Sequence, residues 1–189
     1  MRRSALEIPE DRLHGRRLMV RAHILLGLTV AGCGATYERL DTEALAQRHA
    51  WAAVAHRGCL DLGVQLTRHP SVPGRFTVVR YELGNRCERP LGVDLSAVRA
   101  RARYADGVEL DLARHDPRRE VVPATLEHRS RAVEVLAYAP VVPRDGAPAV
   151  VCLTLDGVLR DASAAATPWT QCLTVPPDGE LPLAPGGSS

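Results

Sequence analysis

The 189 residues suffice for one domain with appendages, and their 24% charged and 46% hydrophobic content is ordinary for a globular protein. Aromatic residues make up only 4%, with a single Phe, so a core must rest on Val, Leu and Ala. All 24 basic residues are Arg, but residues 1–32 hold six of them beside Glu7, Glu10 and Asp11; the remainder has 18 basic against 19 acidic side chains, which excludes the basic face a nucleic-acid binder needs.

The first feature along the chain is the apolar run His23–Ala31, preceded by Arg16, Arg17 and Arg21. A basic flank, a short apolar segment and small residues before a cleavage point describe a secretory signal. The run is far shorter than the ~20 residues that span a bilayer. It ends in Val30-Ala31-Gly32-Cys33, which resembles the lipobox of bacterial lipoproteins, with an aliphatic residue three before the cysteine and small residues between. The resemblance implies removal of residues 1–32, acylation of the Cys33 sulfur and a membrane anchor through N-terminal acyl chains. Several such chains, at ~0.8 kcal/mol per buried CH₂, hold durably. Gly34 stands where an Asp would resemble an inner-membrane retention signal, so the expected address is the outer membrane. The acidic residues before position 12 depart from the pattern, and Met19 offers a more compact start. Arg16-Arg17 hints at a twin-arginine signal, though its surroundings fit poorly. The alternative is that Ile24–Ala31 is a buried element of a cytosolic fold.

Residues 33–58 are expected to form a tether and a short helix: Asp41 or Thr42 can cap, Gly58 can stop, and Ala44, Trp51 and Val54 can share a stripe. A flexible tether is the alternative. From Cys59 the period becomes two. Leu60, Leu62, Val64 and Leu66 alternate with Asp61, Gly63, Gln65 and Thr67, predicting a half-buried strand. Phe76–Leu83 follows, and Leu91, Val93 and Leu95 resume the alternation after an Asn85–Pro90 loop. Val98–Tyr104 and Val108–Leu112 flank Ala105-Asp106-Gly107. A three-residue loop with Gly107 in the left-handed conformation pairs Tyr104 with Val108. It sets Arg103 opposite Glu109 and Arg101 opposite Asp111, a solvated face of opposite charges. Further strands are expected at Arg131–Ala139, Ala149–Asp156 and Trp169–Val175. Seven to eight short strands over residues 59–175 predict an all-β, antiparallel β-sandwich resembling immunoglobulin-like modules in layout, though without the Trp and tyrosine-corner spacing of antibody domains. Residues 176–189, rich in Pro, Gly and Ser, read as a disordered tail.

Setting Cys33 aside leaves Cys59, Cys87, Cys152 and Cys172, an even number that in an exported domain suggests two disulfides. Of three connectivities the reading favours Cys59–Cys172, tying first strand to last, with Cys87–Cys152. His49, His56 and Cys59 could ligate copper or zinc, but ligands seven apart on a helix sit ~10.5 Å apart along its axis. Solvated histidines are the simpler reading. His115-Asp116 invites an acid–base role, yet no nucleophile elbow, phosphate-binding loop, His-Glu-x-x-His or Cys-x-x-Cys pair accompanies it. No enzyme and no cofactor is expected. Arg99, Arg101 and Arg103 could grip lipopolysaccharide phosphate, but Glu109 and Asp111 argue for internal neutralisation. The expectation is a lipid-anchored, non-catalytic binding or structural module of the cell envelope with an envelope protein as partner. The rivals are a periplasmic metal-handling protein and a sandwich-type inhibitor presenting the Asp116–Pro123 loop to secreted enzymes.

Overall fold

The computed structural model describes residues 37, 39–72, 74–115, 123–160, 168–177 and 181–184. The signal segment, Cys33, Asp116 and residues 117–122 of the proposed inhibitor loop lie outside them.

Among the described residues the regular elements, in chain order, are helix α1 (Thr42–Ala46), strands β1 (Ala52–Arg57), β2 (Leu60–Thr67), β3 (Thr77–Asn85) and β4 (Leu91–Val93), a 3₁₀ turn at Leu95–Ala97, then β5 (Arg99–Arg103), β6 (Glu109–Arg114), β7 (Ala124–Leu126), β8 (Arg131–Pro140), β9 (Val150–Thr154) and β10 (Thr170–Thr174). Eight strands form one antiparallel sheet in the order β1-β2-β3-β8-β6-β5-β9-β10, and β4 pairs with β7. The long β8 turns the corner. Its residues Arg131–Tyr138 pair with β3, and Tyr138–Pro140 pair with β6. The sheet thus folds over on itself as a sandwich rolled towards a barrel. Where its edges approach, the Thr174 amide donates to the Ala50 carbonyl at 2.8 Å.

The period-two pattern explains the interior. Leu60, Leu62, Val64 and Leu66 of β2, with Val79, Tyr81 and Leu83 of β3, face Ala102, Val151, Leu153 and Leu173 from the opposite wall, all buried. Removing such chains from water at ~25 cal/mol per Å² drives the closure. The core carries one polar pair. The Tyr81 and Tyr138 hydroxyls meet at 2.6 Å, and burial pushes Tyr81 well up and Tyr138 to about 12.

The β5–β6 hairpin has the predicted register: Arg103 opposite Glu109, Arg101 opposite Asp111, and Gly107 at φ +84°. The Tyr104 amide donates to the Val108 carbonyl at 2.9 Å. Three expectations are corrected. The helix over Thr36–Arg57 shrinks to Thr42–Ala46, so Ala44, Trp51 and Val54 share no helical stripe. Ala52–Arg57 is an edge strand paired with β2 through a tight turn with Gly58 at φ +59°; pairing overrides the helical preference of its alanines. The sandwich therefore starts before Cys59. Its far boundary also moves, because residues 181–184 lie along β2: Leu183 bridges Arg68, and the Ala184 amide donates to the Arg68 carbonyl at 2.7 Å. Finally, the expected solvent face of β2 is covered, and all eight β2 residues are buried.

Candidate functional site

What covers β2 is the segment from Tyr37 through α1. Two glycines make room for it. A Cβ on Gly63 would stand 2.7 Å from the Thr42 Cβ, and one on Gly84 only 2.2 Å from the Tyr37 ring. Polar groups then fasten the segment down. Glu82 is fully buried, and its carboxylate accepts from the Asp41 and Thr42 amides at 2.9 and 3.1 Å and from the Thr42 hydroxyl at 2.7 Å. Arg80 Nη1 at 3.1 Å and Arg131 Nε at 2.6 Å neutralise it, and Arg131 also holds Asp41. A buried charge persists only when compensated this fully.

A second clasp centres on Asp61. Its carboxylate accepts from the Tyr37 hydroxyl at 2.7 Å, His56 Nδ1 at 2.6 Å and Arg86 Nε at 2.9 Å. Burial alone would raise the Asp61 carboxyl, but the bonds from His56 and Tyr37 and the Arg86 charge outweigh it and hold the group below its ordinary value. Burial, then the bond to Asp61, pushes the Tyr37 hydroxyl well up. These residues and Arg39, Leu40, Glu43 and Val54 line a shallow recess of about 330 Å³. Its charges are spent internally, Arg39 on Glu43 at 3.0 Å and Arg86 on Asp61 and the Gly58 carbonyl. It is a fastening.

The opposite end of β2, ~20 Å along the strand from Asp61, opens into a cleft of about 580 Å³. That volume lies within the roughly 300–1,000 Å³ of small-molecule sites. The loop between β2 and β3, the turn before β9 and the segments after β10 surround it. Val72, Phe76, Pro140, Val175, Leu181 and Leu183 supply apolar walls, and Tyr104 closes part of it. The wall from residues 181–184 is held by the Arg68 amide on the Pro182 carbonyl at 2.9 Å, the Thr67 hydroxyl on the same carbonyl at 2.6 Å and Arg68 Nε on the Leu181 carbonyl at 2.9 Å. The charged lining is cationic, Arg68 and Arg75, with no Asp or Glu among the described lining residues. The exposed Arg75 guanidinium lies 5.0 Å over the Phe76 ring, whose plane stacks on His115.

All four cysteines of the domain are in disulfides, but the favoured connectivity is corrected. The bonds are Cys59–Cys87 and Cys152–Cys172, with Cα separations of 5.3 and 4.0 Å. The reason is strand order. Cys59 enters β2 and Cys87 leaves its neighbour β3, while Cys152 and Cys172 stand directly opposite on paired β9 and β10. The metal reading of His49, His56 and Cys59 comes apart as well. His49 stacks on Trp51, His56 bonds Asp61 from a strand, and Cys59 is oxidised. Among the described residues no three His, Cys, Asp or Glu side chains are set to hold a metal. Of the β5 arginines, Arg101 is paired with Asp111 at 3.1 Å and Glu109 at 3.7 Å. The sequence reading missed both clasps and the cleft; the usable signal was the glycines facing outward from β2 and β3.

No protein-family model matches the chain, and no curated protein matches it. Among solved structures it is similar to the yjhA protein from Bacillus subtilis (12% identity, TM-score 0.35, covering 55% of this chain and 77% of that one). It is likewise similar to MPT63, a secreted protein from Mycobacterium tuberculosis (14% identity, TM-score 0.36, covering 57% and 87%). Likeness at this level carries no argument about activity.

Proposed function

We propose that the chain is an exported, lipid-anchored, non-catalytic binding module of the cell envelope, held in the outer membrane and serving an envelope protein partner or ligand. The carrying observation is the cysteine accounting. Four of the five cysteines are joined in two disulfides, a state of oxidising compartments. The one left over is Cys33, which the lipobox resemblance designates for acylation.

The placement of the clasps supports the same reading. Cys33 precedes Tyr37 by four residues, a reach of at most ~14 Å, and Tyr37 is fixed at the Asp61 end of β2. An acyl anchor there holds that end near the bilayer and leaves the cleft, at the other end, facing away. No helix among the described residues is long and apolar enough to cross a membrane. Metabolic labelling with a palmitate analogue tests the proposal. Label is expected on the native chain and lost in Cys33→Ser; label that persists in Cys33→Ser, or is absent from the native chain in membranes, overturns it.

A further inference from the structure

The cleft at the β2–β3 loop combines an apolar interior with a cationic mouth, and we propose that it binds a small amphiphile with a hydrocarbon body and a carboxylate head. The inference names the ligand class of the binding module and rests on that reading only for its setting.

Three observations carry it. The walls contributed by Val72, Phe76, Val175, Leu181 and Leu183 are hydrocarbon, and Leu183 is 63% exposed, so apolar surface stands open at the rim. Burying it under a ligand recovers ~25 cal/mol per Å². Among the described lining residues the charged side chains, Arg68 and Arg75, have one sign. Arg75 stacks on Phe76 and meets no carboxylate among the described residues, unlike Arg101, Arg129, Arg131 and Arg144, each of which pairs with Asp or Glu. Arg68 spends Nε on a backbone carbonyl and pairs with no carboxylate among the described residues. Within the interior, Tyr104 stacks under Arg144. A carboxylate at the mouth would take a charge-assisted, bidentate bond from a guanidinium. A neutral apolar ligand would leave these cations unused, and a cationic one would be repelled.

The test uses the full-length Cys33→Ser chain, which cannot carry its own acyl group, and cis-parinaric acid, whose fluorescence rises in apolar surroundings. Its methyl ester is the neutral control. Saturable binding of one acid per chain is expected, with the ester at least tenfold weaker. Arg75→Glu should weaken the acid tenfold or more and leave the ester unchanged, and Leu183→Glu should weaken both. Both side chains are exposed, so thermal unfolding of the variants should match the parent. Absence of saturable binding overturns the proposal, as does equal binding of acid and ester, or binding that both substitutions leave untouched. None of these results bears on acylation at Cys33, so the two readings fail separately.

Discussion

Glu82 shows how one side chain can decide whether a segment folds. Its carboxylate lies beneath α1, and two amides, a hydroxyl and two guanidiniums converge on it. Removing it would leave Arg80, already carrying a buried unpartnered Nε, without its counter-charge. Glu82→Ala is expected to destabilise the protein by about 3–5 kcal/mol, the cost of breaking a buried ion pair, as measured by chemical denaturation. Asp61 makes a different prediction, one of pH. Its folded carboxyl titrates below the ordinary value, so its stabilisation is complete above the ordinary carboxylate pKa of ~3.9 and is lost as pH falls through the folded one. Asp61→Asn should therefore be less stable than the parent at pH 6, and the gap should narrow below about pH 4. A gap independent of pH would deny Asp61 its ionised role.

At the scale of elements, the sequence is most readable where two independent signals agree. The β5–β6 register was deducible because a two-residue turn at Asp106-Gly107 would have set Arg103 opposite Leu110 and mixed the faces, whereas the three-residue loop with a left-handed Gly107 agrees with the Arg–carboxylate alternation. Strand β1 was hidden because Ala-rich Ala52–Ala55 has no period of its own and becomes a strand only by pairing with β2. The disulfide pattern was hidden for a related reason. Cysteine spacing does not say which strands are neighbours, although sequential strands neighbour one another more often than not. Its loops span 28 and 20 residues, and closing each removes ~3–4 kcal/mol of chain entropy from the unfolded state. The strap over β2 and β3 was unreadable too, because its partners lie 24 to 90 residues away. It gives a sharp test. Gly84→Ala puts a methyl group into the Tyr37 ring and should cost about 1–3 kcal/mol. In the Tyr37→Ala background the same change should cost much less, and equal costs in both backgrounds would separate Gly84 from the strap.

The whole molecule has two unlike ends. One gathers Tyr37, the Asp61 clasp and the Cys59–Cys87 bond, which brace it against the sheet. The other holds the open, cationic-mouthed cleft. In the proposed setting the braced end meets the membrane and the open end meets the partner or ligand. That arrangement depends on the chain leaving the cytoplasm, which both the oxidised sulfurs and the lipid require. Intact-mass spectrometry of the protein purified from membranes without reductant tests it most directly. The mass should correspond to a chain starting at an acylated Cys33, with four hydrogens fewer than its reduced form. A mass that retains residues 1–32 with every thiol reduced would contradict the account.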